Sequence, residues 1–222
     1  MTRQIAVIAA MPEEAAAFFP GQGLVADGIR CLTHAGSEIR IAVSGIGKVN
    51  AAIAATRAVT LNPCDLILVI GTAGKIGTRQ EPCFWLSAAV QHDYGARRAT
   101  GFVRYSAGTI PVGPARIEPF AAMPDPGTGL PHAVIASGDS FVECPDAAAD
   151  LVDGLGADLV DMETAAIAQV AARFGVPWAG IRAVSDNADG ASAATFRNTL
   201  ARAARMAGQA AEDFLGLARR AP

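Results

Sequence analysis

The chain is poor in cations, aromatic rings, histidines and clustered cysteines, and each shortage closes off a class of function. Its 222 residues carry 18 Lys and Arg against 21 Asp and Glu, a net charge of −3, and the arginines are scattered rather than striped. A polyanion is held by a concentrated basic field, so nucleic acid is excluded as a partner. His34, His92 and His132 are dispersed, and Cys31, Cys64, Cys83 and Cys144 show no CxxC spacing. Neither a zinc set nor a histidine-based triad can be assembled from them in sequence, and no metal or cofactor is called for. The cysteines read as reduced, mostly buried thiols. No apolar run approaches the length of a membrane span, and the strand-like run Leu66 to Ile70 belongs to a core. The opening apolar stretch, Ile5 to Met11, is cut by Pro12, Glu13 and Glu14 and is too short for a signal sequence, so the cytoplasm is the expected location. Two nucleophile and phosphate signatures are missing as well. There is no GxSxG elbow, and Ser44-Gly-Ile-Gly-Lys48 lacks the GxxxxGK[ST] frame, which leaves it as a tight strand-to-helix turn.

What is abundant is small apolar side chain. The hydrophobic fraction is 51% while aromatics are only 6%, a balance that favours alanine-rich helices packed closely on a sheet. Strand-length apolar runs at Ile5–Ala10, Ile39–Val43, Asp65–Ile70, His132–Ser137, Leu159–Met162 and Pro177–Val184 alternate with helical stretches. The helices are placed from Pro12 to about Phe19, Lys48 to Leu61, Asp146 to Leu155, Glu163 to Phe174 and about Ala193 to Arg219. Ile167, Val170 and Phe174 share one face of the fourth helix, and Leu200, Ala204, Ala207, Ala211 and Leu215 form the stripe of the last. Gly71-Thr-Ala-Gly74 reads as a small-residue turn, and residues 91–131 as loop with short strands, a long insertion of the kind that often covers a site. Unbroken apolar strands mean a sheet covered on both faces. The expectation is therefore a single domain over residues 1–222, a three-layer α/β sandwich with a central mixed sheet flanked by helices.

The polar clusters Glu13-Glu14, Thr72, Asp139-Ser140, Asp161 to Glu163 and Ser185-Asp186 each follow a strand, and in such sheets the ligand crevice lies at the strands' carboxyl ends. Glu14 and Asp186, from opposite ends of the chain, would supply the paired carboxyl groups that hydrolysis of a glycosidic bond to a purine needs, one activating water and one protonating the departing base. Each also has a plain reading, Glu14 as a solvated first-turn acid and Asp186 as a helix N-cap. Glu163 is placed either to accept bonds from a ribose diol or merely to start a helix, and Phe141 either to stack on a base or to fill core.

Six segments carry a family resemblance: Ile8-Ala-Ala-Met-Pro-Glu-Glu14, Val43-Ser-Gly-Ile-Gly-Lys-Val-Asn-Ala-Ala52, Ile70-Gly-Thr-Ala-Gly74, Ala136-Ser-Gly-Asp-Ser-Phe-Val142, Val160-Asp-Met-Glu-Thr-Ala-Ala166 and Arg182-Ala-Val-Ser-Asp186. Together they resemble the methylthioadenosine/S-adenosylhomocysteine nucleosidase branch of the purine nucleoside phosphorylase superfamily. The resemblance implies a nucleoside phosphorylase-like fold and hydrolysis of a 5'-substituted adenine nucleoside. It also implies roles: Glu14 on the water, Asp186 on the purine N7 with Ser185 steadying it, Phe141 stacked on adenine and the Val142 backbone reading its edge. Met162 would pack under the ribose, Glu163 bind its hydroxyls, and Arg182 and Thr72 line the same pocket. A homodimer is implied, the partner completing the pocket for the 5' substituent. The chain departs from the family pattern at Asp161, where glutamate is usual, at Lys75, where a glycine would follow, and in the segment from Gln91 to Gly95.

Branches that cleave futalosine or adenosyl-hopanoids share these motifs and stand as alternatives. So does phosphorolysis, although superfamily phosphorylases carry an arginine soon after the first strand and another before the glycine loop, and Met11–Ala15 and Leu68–Gly71 have no basic residue. A nucleoside-binding protein without catalysis is the third alternative.

Overall fold

The computed structural model describes residues 2–26 and 28–217. Its strands are β1 (Arg3–Ala9), β2 (Leu24–Ala26), β3 (Ile29–His34), β4 (Ser37–Val43), β5 (Leu66–Lys75), β6 (Cys83–Gln91), β7 (Gly95–Arg98), β8 (Gly101–Arg104), β9 (Phe120–Ala121), β10 (His132–Ser137), β11 (Leu159–Asp161) and β12 (Trp178–Asp186). The helices are α1 (Pro12–Ala17), α2 (Lys48–Thr60), α3 (Pro145–Leu155), α4 (Thr164–Phe174) and α5 (Ser192–Leu217). The predicted end of the last helix at Arg219 lies outside the described residues.

The main sheet runs β11-β10-β6-β12-β5-β1-β4-β3-β2, parallel along β12-β5-β1-β4 and antiparallel where β12 meets β6. Along β5 alternate residues face opposite ways. Leu66, Leu68 and Ile70 join a core closed by α1 and α5, and Ile67 and Val69 join one closed by α2 and α4. Covering both faces is what makes the strand an unbroken apolar run, and the expected three-layer architecture with a mixed sheet is the one found. The layers are thin because alanines meet the sheet: Ala203, Ala207 and Ala211 of α5, and Ala165, Ala168 and Ala171 of α4, are buried. The predicted face of α4 is off by a turn at its end, since Ile167 is buried but Phe174 is half exposed.

Three local expectations are corrected. The Gly71–Gly74 segment is strand, not turn: β5 continues through it, paired with Arg182 to Asp186 of β12, and the glycines serve close approach rather than chain reversal. Strands β2 and β3 pair as an antiparallel hairpin added to the sheet edge, and Cys83–Gln91 is a nine-residue central strand that the sequence pattern leaves unassigned. The 91–131 segment is short strand and loop as expected, but none of it lines the crevice described below.

One long-range pairing positions everything that follows. β11 pairs in parallel with β10 and also runs antiparallel against the end of β5, Val160 opposite Gly74 and Leu159 opposite Lys75. The strands β5, β12, β6, β10 and β11 thereby close into a ring, which carries the residues after β11 back over the carboxyl ends of β5 and β12.

Candidate active site

At those carboxyl ends lies a crevice that is partly open to solvent, and strand carboxyl ends are where ligands bind in sheets of this kind. Its wall draws on the residues just past β1 (Ala10, Met11), the end of β5 (Thr72 to Gly74), the segments after β10 and β11, and the last two residues of β12.

Glu14 reaches this wall from α1. Its Oε2 accepts the main-chain N–H groups of Ala10 and Met11, each at 3.1 Å, and its Oε1 accepts the N–H and hydroxyl of Thr72 at 2.8 and 2.9 Å. It does favour the helix start, as a third-position acid bonding back to the residue before the helix, but it is buried rather than solvated. Glu13 is the exposed member of the pair. The glycine at 71 is required here. Its φ is +144°, and a Cβ would lie 2.4 Å from Arg182 Nη1 and 2.6 Å from Glu14 Oε1, so only hydrogen lets the carboxylate and guanidinium both close over it.

The start of α4 explains how Glu163 comes to face the crevice. Asp161 and Ser137 take the helix's first N–H groups: Asp161 accepts the N–H of Thr164 at 3.1 Å, and Ser137 Oγ accepts that of Ala165 at 2.9 Å. Glu163, the residue preceding the helix, makes no side-chain cap and instead accepts the Gly47 N–H at 2.8 Å. Asp161 is further bonded by the hydroxyls of Ser137 and Thr164, each at 2.5 Å, and by Arg182 Nη2 at 2.6 Å. Arg182 also donates to Thr164 Oγ1 and to the carbonyl of Ile70. The guanidinium is fully buried. Desolvation works against its charge, but the carboxylates of Asp161, Glu14 and Glu163 outweigh that and hold it protonated. Arg182, expected in the pocket wall, therefore lies one layer beneath it as a buried counter-charge and is not among the lining side chains.

Asp186 closes the opposite side. It is the last residue of β12, opposite Gly74 in register. Its Oδ2 accepts the Ser185 hydroxyl at 2.8 Å and its Oδ1 the Ala188 N–H at 3.0 Å. It does not cap α5, whose entry is fixed by Asp189 and Ser192. Phe141 stands at the mouth, half exposed, edge-on to Phe196 at 6.0 Å between ring centroids. Val142 and Met162 line the crevice, and among the described residues the main-chain N–H and C=O of Val142 have no internal partner. The structure thus brings together Glu14, Thr72, Phe141, Val142, Met162, Glu163, Ser185 and Asp186 around one crevice, with Arg182 behind it.

The phosphorylase superfamily matches residues 4–216. The chain belongs to that superfamily. A curated 5'-methylthioadenosine/S-adenosylhomocysteine nucleosidase of Haemophilus influenzae (strain PittEE) is 32% identical over 182 residues, covering 77% of this chain and 78% of the relative. One from Actinobacillus succinogenes is 32% identical over 193 residues, covering 82% and 81%. Among solved structures, the 5'-methylthioadenosine/S-adenosylhomocysteine nucleosidase of S. pneumoniae with a transition-state inhibitor has a TM-score of 0.82 at 27% identity, over 97% of this chain and 99% of that one. Within the superfamily the chain therefore belongs with the nucleosidases.

Several residues of this superfamily member's crevice escape sequence reasoning. Ile46 and Phe196 form the mouth with Phe141, yet one sits in a glycine turn and the other in an amphipathic helix's first turns, with nothing local to mark them. Asp161 is visible as a polar residue after a strand, but its work of capping α4 and pairing Arg182 needs the ring closure. Ser137 and Thr164 lie within the resembling segments, but nothing in the sequence marks them as partners of Asp161.

Proposed function

We propose that the protein hydrolyses the N-glycosidic bond of a 5'-substituted adenine nucleoside, 5'-methylthioadenosine or S-adenosylhomocysteine, releasing adenine and the ribose derivative. The observation that carries this reading is the charge of the crevice wall: Glu14, Asp161, Glu163 and Asp186 contribute carboxyl groups, and among the described residues no lysine, arginine or histidine lines it. A phosphate dianion placed there would meet acids without a guanidinium partner, whereas a neutral water is activated by the same acids. Phosphorolysis is disfavoured by the same electrostatics.

In this reading Glu14, held by four donors, takes the proton from water attacking C1', and Asp186, steadied by Ser185, protonates N7 of the departing adenine. The cationic sugar of the transition state is stabilised by the surrounding carboxylates. Phe141 stacks on the base, the free main-chain groups of Val142 bond its edge, Met162 packs beneath the ribose, and Glu163 accepts from its hydroxyls. Thr72 orients Glu14, and Arg182 neutralises the buried acids from behind. The apolar mouth of Met11, Ile46, Phe141 and Phe196 suits a methylthio or other thioether group at the 5' position.

The whole chain acts as one domain, and two copies pair so that the open side of the crevice is covered. What supports pairing is the exposed apolar surface: Ile46 and Phe141 at the mouth, and Val49 and Phe174 along a groove between α2 and α4. Among the described residues no helix is long and apolar enough to cross a membrane. The thiols of Cys31, Cys64, Cys83 and Cys144 are all free, which suits a reducing compartment, and the cytoplasm is the location we propose.

Adenine release from 5'-methylthioadenosine, followed with and without phosphate, tests the reading. Release at the same rate in both is expected. Release that requires phosphate would make the protein a phosphorylase, and none in either would leave a binding protein.

A further inference from the structure

The crevice wall carries more acid than its buried base can balance. Glu14, Asp161, Glu163 and Asp186 are each 8% exposed or less, and among the described residues Arg182 is the one arginine or lysine buried with them. Burying several carboxylates side by side without matching cations is opposed both by desolvation and by their mutual repulsion, so at least one holds a proton near neutrality.

Hydrogen-bond donors decide which. An ionised carboxylate is stabilised by the donors that point at it, and among the described residues the four acids are served unequally. Glu14 accepts from Ala10, Met11 and twice from Thr72. Asp161 accepts from Ser137, from the amide and hydroxyl of Thr164, and from Arg182. Asp186 accepts from Ser185 and Ala188. Glu163, which lines the crevice, has a single donor, the Gly47 N–H on Oε1, and among the described residues none reaches its Oε2. The groups around it are Asp161 from β11, Glu14 from α1 and Arg182 from β12, with two acids against one base. The nearby ammonium of Lys48 does not help, because it is turned away onto Asp93 and Gln91.

We propose that Glu163 rests as an uncharged carboxylic acid in the empty crevice and ionises when the 2' and 3' hydroxyls of a ribonucleoside engage it, so that substrate binding expels one proton. Burial first, and the Asp161 carboxylate second, push the Glu163 carboxyl up to about 7, against the pull of Arg182 and the Gly47 amide. Two hydroxyls supply the donors that the empty site lacks, and charge-assisted bonds to a carboxylate are stronger than bonds to a neutral acid. In the exchange the O–H bond on Oε2 breaks, the proton passes to bulk buffer, and Oε2 joins Oε1 as an acceptor. The newly formed anion then lies beside the sugar on which positive charge develops, so the proton is shed before the step that needs the charge. This rests on the nucleoside reading.

Calorimetric titration with a carbon-linked adenine ribonucleoside, which cannot be hydrolysed, tests it. Run at pH 6 in two buffers of different protonation enthalpy, it should report about one proton released per nucleoside bound, falling toward zero at pH 8.5. The counterpart lacking the 2' and 3' hydroxyls should release none, and neither should the ribonucleoside binding to Glu163→Gln, a neutral variant of the same shape. Equal proton counts for the two nucleosides, or release that persists in the Gln variant, would overturn the proposal while leaving the nucleoside reading intact. Failure of both nucleosides to bind would remove that reading and the proposal with it.

Discussion

Glu13 and Glu14 stand side by side in the first turn of α1, and only the three-dimensional neighbourhood separates them, since Glu13 is exposed and Glu14 is buried under four donors. Glu14→Gln turns one acceptor oxygen into an amide that must face N–H groups, and it deletes the proposed base. Adenine release should fall by about 10²–10⁴-fold, with on the order of 1–3 kcal/mol lost from stability through the mismatched donors. Asp186→Asn removes the proposed acid while keeping an oxygen for Ser185 or Ala188, so a similar loss of kcat with little change in nucleoside affinity is expected. Near-wild-type turnover in either variant would sink the role given to it. Glu163 makes a prediction about stability rather than rate. Burial first, and then the Asp161 carboxylate, push its folded carboxyl from 4.5 up to about 7, so the folded state binds more protons than the unfolded chain between those values. The favourable contribution is full below the unfolded value and is lost as pH rises through the folded one. Glu163→Gln carries no such penalty, and its thermal midpoint should gain on the wild type between pH 5 and pH 8; a constant gap across that range would contradict the assignment. The residue types and their order after strands were legible in the sequence for Glu14, Glu163 and Asp186. Burial was not, because it depends on which segments lie opposite.

At the scale of elements, the long apolar strands and alanine-rich helices are readable because covering both sheet faces leaves an unbroken pattern, as in β1, β5 and β12. The failures come where local chemistry says one thing and pairing another. Gly71-Thr-Ala-Gly74 has the composition of a turn, yet β12 on one side and β11 on the other extend it as strand. The β2–β3 hairpin is hidden among Gly21, Gly23 and Gly28, and its edge strands are too exposed to show an apolar run. The glycine at 71 is where this matters most, since its side-chain position is occupied by Glu14 and Arg182. Gly71→Ala adds a φ that L-residues rarely adopt to a clash with two charged groups, and a cost on the order of 3 kcal/mol or more is expected. Chemical denaturation measures it. A midpoint within error of the wild type would show that the two side chains are free to move apart, and with them the proposed geometry of the base.

The whole molecule adds what no single element carries. The sheet's fold class follows from alternating strands and helices, but the ring closed by β11 against β5 joins residues 74 and 160, a pairing too distant in sequence for any local pattern to announce. That closure sets Glu163 opposite Gly47 and makes the crevice. It also leaves the crevice open on the side where Ile46 and Phe141 are exposed, next to the groove of Val49 and Phe174. If a second copy covers this side, the contact is the same patch on both subunits, and a charge placed in it is buried twice. Val49→Lys sets a third cation beside Lys48 and Arg173 in that groove. Desolvating it on both subunits should cost several kcal/mol of association. At micromolar concentrations the variant should therefore sediment as a monomer where the wild type sediments as a dimer. Because the substitution lies outside the crevice wall, its monomer should keep the intact fold by circular dichroism. Its adenine release should fall more for 5'-methylthioadenosine than for adenosine, since only the former uses the covered side. A wild type that sediments as a monomer, or a monomeric variant with unchanged preference between the two nucleosides, would mean that one chain forms the whole site alone.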